Sequence, residues 1–400
     1  MSTLLILLAV LAAVNLATAW QLHAIFPRRR ALVLAALVLG NAVWLAVPFA
    51  FIQGRDGVFA WARPILGPPF LLWHAFALGY VTLSLAGLVA WLPLRLARSR
   101  SARWPRFWRR PTLAAMTLFA ALTLAGVYGA LVPIQVRTVE VEFDELPPAL
   151  DGYRIALLSD LHVGLFSRES RLREIVQRVN QAAPDMVVIA GDLVDDEPRH
   201  VPKLARGLRG IRATDGVYAV LGNHEIYAGA AFELVARRDE LPFRLLINEG
   251  VRVERAGGGI ALLGLGDPAA QEAFGPNTQA RARFAPDWEA ATHAVQPGDF
   301  VVAAAHQPVL FREAQRRAIP LSLAGHSHGG QLGIRRLHWC LSGTFLRWHM
   351  GLYHEGGSAL YVTTGAGYWV LPVRLGVLPE IAVLVLRSGQ RQGEQRPGAP

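Results

Sequence analysis

The sequence is poor in two reactive residue types. Its 400 residues include one cysteine, Cys340, and one lysine, Lys203. A single thiol excludes an intrachain disulfide, and it also excludes the thiolate cluster of a cysteine-based zinc site. Any metal site must therefore take its ligands from His, Asp, Glu or Asn side chains.

Acidic residues are fewer than basic ones, and the formal net charge is +10. A basic balance of this size is compatible with nucleic-acid binding. However, many of the arginines lie in short loops between apolar segments before residue 133. Membrane topology explains that placement more simply, so nucleic acid is not an expected partner.

Four stretches before residue 134 are long and apolar enough to cross a bilayer. We expect a transmembrane region over 1–133, with helices at about 3–26, 31–52, 69–93 and 112–133. The first stretch contains LATA before Trp20, which resembles a signal-peptidase site. Because it lacks a basic leading segment, an uncleaved helix is favoured.

Two connecting loops of this region, 27–30 and 95–110, are rich in arginine. The positive-inside rule places both loops in the cytoplasm. The sequence therefore predicts a multi-pass protein of the cell (inner) membrane, with everything after residue 133 extracytoplasmic.

The pattern changes at residue 134, where strands begin to alternate with helical segments, so we expect an α/β domain over 134–388. Ser167 is expected to cap a helix over 168–182, which Pro184 ends. Residues 389–400 have no periodicity and indicate a disordered tail. The predicted strand segments are 136–143, 153–160, 186–192, 217–225, 300–308, 319–328, 359–365 and 381–386.

Five of these strands run directly into polar clusters. In α/β folds such clusters meet at the carboxyl ends of the strands. A lone Asp there is usually a helix cap and a lone His a turn residue, but five clusters exceed what folding needs. The clusters are SDLH (159–162), GDLVDD (191–196), GNHE (222–225), AAH ending at His306, and GHSH (325–328).

Oxygen and imidazole ligands without thiolate favour Mn, Fe or Zn. Two such ions about 3.5–4 Å apart can clamp a phosphate and activate a water. The motif order D-x-H, G-D-x-x-D, G-N-H-E, H, G-H-x-H across 160–328 resembles the calcineurin-like metallophosphoesterases. DGYRIALLSDLHVG and GHSHGGQ look most like the bacterial membrane-associated members of the YkuE/YaeI kind, some of which are lipid-directed.

The resemblance implies an α/β/β/α sandwich that holds two divalent metal ions. It also implies attack on phosphorus by a hydroxide held between the ions, with His224 contacting the phosphate or protonating the leaving group and Asp195 orienting His224. Glu225 matches the residue that is common in the family at this position. The implied ligands are Asp160, His162 and His328 for one ion, Asn223, His306 and His326 for the other, and Asp192 as the bridge.

Three functions remain open from the sequence. The first is a membrane-anchored phosphoesterase that hydrolyses a phospholipid or lipid-linked phosphodiester. The second acts on a soluble phosphate ester or nucleotide and uses the helices only as an anchor. The third, a membrane sensor without turnover, is disfavoured because the ligand pattern is complete. Residues 335–354 form either a hairpin packed on the core or an apolar lip that meets the membrane, and the oligomeric state is not indicated.

Overall fold

The computed structural model describes residues 104–164, 167–195, 197–255, 258–369 and 372–389, with a few isolated positions before residue 81. The three helices predicted before residue 94 fall outside these described stretches, and so does the predicted tail beyond Gly389. The described residues from Ala125 onward belong to one compact unit.

Helix α1 spans Trp104–Leu131, and its segment Arg110–Leu131 is long and apolar enough to cross a membrane. This segment matches the fourth predicted span. The helix ends at Leu131 because Val132 precedes Pro133, and a residue before proline avoids the helical conformation. Large apolar side chains on α1 are exposed, including Tyr128 at 72% and Leu131 at 57%.

The predicted loop 95–110 is wrong from Trp104 onward, because these residues begin α1. Pro105 stands in the first turn, where its missing N–H removes no helical hydrogen bond.

Within the described residues, fourteen strands form two six-stranded sheets and one short ribbon. The strands are β1 (Gln135–Phe143), β2 (Arg154–Leu158), β3 (Met186–Ala190), β4 (Val217–Val220), β5 (Arg244–Leu245), β6 (Glu249–Arg255), β7 (Gly258–Gly264), β8 (Phe300–Ala304), β9 (Leu321–Ala324), β10 (Gly333–Ile334), β11 (Trp339–Cys340), β12 (Gly351–Glu355), β13 (Ser358–Val362) and β14 (Glu380–Ser388).

The first sheet has the order β1-β14-β2-β3-β4-β5, and the second has the order β12-β13-β9-β8-β7-β6. Strands β2 to β5 are parallel to one another, as are β7, β8, β9 and β13. The central strands are buried along their whole length, as parallel strands covered on both faces must be. The carboxyl ends of each parallel set therefore share one edge.

Short helices follow α1 along the chain. They are α2 (Glu169–Ala182), α3 (Val201–Gly207), α4 (Asn223–Ala228), α5 (Ala230–Ala236), α6 (Ala269–Ala273), α7 (Gln279–Phe284), α8 (Trp288–Thr292) and α9 (Phe311–Arg316). The predicted cap of α2 is wrong: Arg168 occupies the cap position without a capping side chain, and Ser167 Oγ bonds instead to the Gly164 backbone. The helix does end before Pro184.

The hydrophobic core consists of three apolar layers, one between the two sheets and one on the outer face of each sheet. Side chains of both sheets, among them Leu157, Val188 and Leu321, form the apolar layer between the sheets. A second cluster packs α2, α3 and α5 against the outer face of the first sheet, and a third packs α8 and α9 against the second sheet. This arrangement agrees with the expected α/β/β/α sandwich.

The segment 335–354 is divided between the core and the surface. Trp348 is only 4% exposed and packs with Phe311 in the core, as the hairpin alternative expects. Trp339 and Phe345 are exposed, at 47% and 85%. Strands β5 to β7 were not predicted: β5 has only two residues, β6 is mostly charged, and β7 begins with two glycines.

Candidate metal centre

The polar clusters meet at one edge of the sandwich, and both sheets contribute. Three loops leave the carboxyl ends of β2, β3 and β4 in the first sheet, and two leave β8 and β9 in the second. Asn223 and His224 lie in the first turn of α4 rather than in the expected loop. The seven residues implied as ligands all sit in these five segments: Asp160, His162, Asp192, Asn223, His306, His326 and His328.

The first group, which we call the Asp160 cluster, consists of Asp160, His162 and His328. His328 Nε2 lies 3.2 Å from Asp160 Oδ1 and 2.9 Å from His162 Nε2. With Asp192, these residues offer ligand atoms that all lie within 4.8 Å of one another. Four buried donors around one point have the geometry of a metal site.

The second group, the Asn223 cluster, consists of Asn223, His306 and His326. Asn223 Oδ1 lies 3.1 Å from His306 Nε2 and 2.9 Å from His326 Nδ1, and these two nitrogens are 3.3 Å apart. Asp192 Oδ2 lies 3.1 Å from His306 Nε2 and 3.6 Å from His162 Nε2. Asp192 therefore stands between the two clusters, where a bridging ligand belongs.

The side chains of the two clusters are better suited to bind cations than to form hydrogen bonds with one another. Two imidazole nitrogens face each other at 2.9 Å in the Asp160 cluster, and only one proton can lie between them. Asp160 Oδ2 and His328 Nδ1 are buried without a hydrogen-bond partner among the described residues. Burial raises the pKa of Asp160, which shows a carboxylate without enough compensating charge. A divalent ion in each cluster would supply that charge.

Hydrogen bonds to the far ring nitrogens orient two of the histidines. His306 Nδ1 donates to the Ala190 carbonyl at 2.8 Å, which leaves Nε2 free to face Asp192 and Asn223. His162 Nδ1 donates to Asp195 Oδ1 at 3.0 Å and directs its Nε2 inward. Such outer contacts fix the tautomer that a metal ligand needs.

The backbone is unusual at this edge. In the part of the chain that the structure describes, ten non-glycine residues have positive φ, and five of them are among the seven implied ligands: Asp160, His162, Asp192, His326 and His328. Left-handed conformations cost non-glycine residues roughly 1–3 kcal/mol each and concentrate at functional sites. The left-handed conformation directs each side chain toward the shared edge immediately after its strand ends.

Sequence comparisons agree with this geometry. The family model described as calcineurin-like phosphoesterase matches residues 153–330. An uncharacterised metallophosphoesterase of Campylobacter jejuni is 31% identical over 69% of this chain and 69% of its own length. The chain belongs to the calcineurin-like phosphoesterase family. The expected family, and its α/β sandwich fold, are therefore confirmed.

Two further relatives extend the family relationship. YkuE of Bacillus subtilis, an uncharacterised metallophosphoesterase, is 27% identical over 67% of this chain and 92% of its own length. A zebrafish protein named transmembrane protein with metallophosphoesterase domain is 33% identical over 70% of this chain. The chain spans 63% of that protein's length, which is less than two thirds.

His224 lies beside the clusters without joining either. Its Nδ1 donates to the Asp195 carbonyl at 2.9 Å, and its ring meets the His162 ring edge-on at 4.6 Å. Burial opposes its charge, but Asp195 and Asp192 outweigh this and raise the pKa of His224 to about 9. The two carboxylates therefore favour the protonated form of His224. Its neighbour Asp195 has a pKa far below the usual range because both histidines bond to it.

Glu225 has a role that the sequence did not define. Its buried carboxylate accepts hydrogen bonds from the backbone N–H groups of Asp192, Val194 and Gly222, at 3.0, 2.9 and 2.7 Å. These bonds hold the loop after β3 against the start of α4. Glu225 therefore positions Asp192 without reaching the clusters itself.

Arg374 was not singled out in the sequence, because it is one arginine among many. Its guanidinium is 1% exposed and donates to the carbonyls of Gly365 and Gly367 at 3.3 and 2.6 Å. A Cβ at Gly365 would lie 2.7 Å from that of Asp160, so this loop directly backs the Asp160 cluster. The Arg374 N–H in turn donates to the Gly126 carbonyl of α1 at 2.8 Å.

A cavity of about 470 Å³ connects the end of α1 with His162. One wall is apolar and comes from the last turns of α1, with Val127, Ala130 and Leu131. The rest of the lining is more polar and includes Ser167, Arg168, Arg171, Glu174 and Tyr368.

Proposed function

We propose that this protein is a membrane-anchored, divalent-metal-dependent phosphoesterase that hydrolyses a phospholipid or a lipid-linked phosphodiester. The family and the geometry of the two clusters support phosphate-ester hydrolysis. The observation that carries the lipid assignment is the cavity, because its lining includes both apolar residues from the end of the membrane-type helix and His162. A substrate with both an apolar and a phosphate part fits that lining.

In this proposal the two clusters would hold two divalent ions, of Mn, Zn or Fe type, and Asp192 would be a ligand to both. When bound, such ions neutralise phosphoryl charge and lower the pKa of a coordinated water. The imidazoles and carboxylates of the clusters must be deprotonated to bind metal. Protons therefore compete with metal ions for these side chains, and we expect activity to fall in acid.

His224 acts as the proton donor to the leaving oxygen. The Asp195 carbonyl fixes Nδ1–H, so the Nε2–H points away from that bond. Its pKa of about 9 keeps the proton available at neutral pH. An alkoxide is a poor leaving group unless it is protonated as the bond breaks. A histidine that keeps its proton until that moment can serve as the general acid.

Hydrogen bonds attach the residues just after α1 to the catalytic domain and so keep the end of the helix beside the cavity. Arg171 Nη1 donates to the Val132 carbonyl at 2.9 Å, and Glu174 Oε1 accepts the Ile134 N–H at 2.9 Å. Arg171 and Glu174 also pair with each other at 2.9 Å. With α1 in a bilayer, these bonds hold the cavity at the membrane surface, where a lipid phosphate is available.

We also propose the multi-pass inner-membrane location and the extracytoplasmic placement of the domain. The arginine-rich loops support the orientation. The α1 segment and the name of the zebrafish relative support membrane attachment.

Full-length protein in nanodiscs, loaded with Mn²⁺, tests the substrate class. Turnover of phospholipid in the bilayer is compared with turnover of a soluble aryl phosphodiester. We expect Val127→Trp, which fills the apolar wall, to reduce the ratio of lipid to soluble-ester turnover by about 10-fold, a loss of about 1.4 kcal/mol of transition-state binding.

Tyr128→Trp is the matched control, because the neighbouring side chain is 72% exposed and does not line the cavity. Metal content serves as the check that each variant has folded. An unchanged ratio in Val127→Trp, together with preferential turnover of soluble esters, would instead support a soluble phosphate ester as the substrate.

A further inference from the structure

One exposed apolar surface lies outside the metal centre and its cavity. It is the segment 332–345, which we call the lobe. Phe345 and Leu337 are 85% and 71% exposed. Large apolar side chains gathered in one exposed segment mark an interaction surface. The exposed apolar side chains of the lobe are Leu332, Ile334, Leu337, Trp339, Leu341 and Phe345.

The lobe is an ordered structure and not a frayed loop. Its strands β10 and β11 pair antiparallel, with Gly333 opposite Cys340. Cys340 is fully buried and packs with Met350 and Val377 beneath the lobe. The inner side of the lobe is therefore anchored, and the apolar side chains on its outer side are held outward.

A short path of backbone bonds connects the lobe with α1. Gly333 donates to the Leu375 carbonyl at 2.9 Å, and the next residue back, Arg374, donates to the Gly126 carbonyl at 2.8 Å. A Cβ at Gly129 would lie 2.1 Å from the Arg374 carbonyl oxygen, so the helix touches this segment directly. The lobe is thus continuous with the last turns of the helix that is apolar enough to cross a membrane.

The charge of the lobe is of one sign. The segment contains no Asp or Glu and includes Arg335 and Arg336. Arg335 pairs with buried Glu380 at 2.7 Å, whereas Arg336 is exposed and makes no ion pair with any described residue. Exposed aromatic and aliphatic side chains beside a free arginine suit the interface of a bilayer that contains anionic lipid.

We propose that the lobe inserts into the interfacial layer of the bilayer that α1 crosses and forms a second membrane contact of the catalytic domain. Trp339 and Phe345 lie among the lipid headgroups, and Arg336 binds anionic headgroups. The inference requires α1 to lie in a bilayer, but it does not require the substrate to be a lipid.

Site-directed spin labelling of the full-length protein tests this contact. The nanodiscs contain phosphatidylcholine and phosphatidylglycerol, and a nitroxide is attached at Phe345→Cys. The native thiol of Cys340 is buried, so the unmodified chain should remain unlabelled and serves as the blank. The collision rates of the nitroxide with oxygen, which dissolves in lipid, and with a water-soluble nickel chelate report its depth.

Glu289→Cys provides the control label. Its side chain is 81% exposed on α8, which packs on β6 and β7. We expect oxygen accessibility to exceed nickel accessibility at Phe345→Cys, and the reverse at Glu289→Cys. Equal, water-like accessibility at both positions would overturn the proposal.

A second measurement separates this proposal from the proposed enzymatic function. The double variant Trp339→Ser and Phe345→Ser should lower the turnover of lipid in nanodiscs and leave the turnover of a soluble aryl phosphodiester unchanged. If no lipid is hydrolysed by the unmodified protein, the lipid-substrate assignment fails, while the accessibility of the label still decides whether the lobe contacts the bilayer.

Discussion

The two clusters of the metal centre lie side by side and are built differently. All three residues of the Asp160 cluster have positive φ, whereas only His326 does so in the Asn223 cluster. The Asp160 cluster has a carboxylate of its own, and the Asn223 cluster depends on Asp192 for negative charge. We infer that the Asp160 cluster would hold an ion through its own carboxylate on a strained backbone, and that the Asn223 cluster, whose own side chains are neutral, would hold an ion more weakly.

The largest effect should come from Asp192, the residue that the clusters share. Asp192→Asn removes the charge between both ions, so we expect hydrolysis to fall by about 1000-fold or more, since metal ions supply several kcal/mol of charge stabilisation. Steady-state rates and metal content by elemental analysis measure this. A near-normal rate with two ions bound would contradict the shared role, and an unchanged circular dichroism spectrum would show that the fold persists.

His326 and His328 allow the clusters to be broken one at a time. We expect His326→Ala and His328→Ala each to bind one ion instead of two and to lose about 100-fold or more in rate, because one metal cannot clamp the phosphate. The ion that remains in His326→Ala should resist a chelator longer than the ion that remains in His328→Ala. Equal resistance would argue against a difference between the clusters.

His224 should matter most for poor leaving groups. His224→Asn is expected to slow hydrolysis of an alkyl ester by about 100-fold and that of a nitrophenyl ester much less, as general acids contribute roughly 10²–10⁴-fold. Because the proton is needed, wild-type turnover of the alkyl ester should decline as pH rises through about 9, the pKa of His224. The variant should lack that alkaline decline; its persistence would assign the proton to another group.

Glu225 gives the smallest expected effect. Glu225→Gln replaces one accepting oxygen with a donor that faces a backbone N–H, and both clusters should loosen together through Asp192. We expect a loss of about 10- to 100-fold in metal affinity, which is usual for residues that orient ligands. Isothermal titration with Mn²⁺ measures it. A change confined to one ion would show that Glu225 supports only one cluster.

The site was easier to predict than the surrounding fold. A motif such as GHSH places candidate ligands at the end of a strand whatever sequence follows it, and here Gly329 and Gly330 turn the chain with positive φ directly afterwards. The structure brings together all seven residues that the motifs indicate, and their assignment as ligands stays a prediction.

Other parts of the structure could not be predicted because nothing in the sequence around them indicates their contacts. Arg374 acts through backbone carbonyls of a loop that meets it only in the folded chain, and Trp348 sits in an apolar segment whose buried and exposed side chains alternate irregularly. Sequence periodicity reports burial only in regular elements. The short strands β5, β10 and β11 owe their conformation to neighbours in space.

The bonds between the end of α1 and the catalytic domain also set how the enzyme would meet its substrate. An active site fixed at one height above the bilayer searches in two dimensions, so its rate follows the mole fraction of substrate among the surface lipids and not the bulk concentration. Diluting the substrate with inert phospholipid at constant total substrate should then slow the reaction, while adding more vesicles of the same composition should not speed it. Arg171 and Glu174 pair with each other, and both bond to residues just after α1. These contacts would thereby influence how the rate of the enzyme depends on substrate concentration, as well as where the enzyme sits.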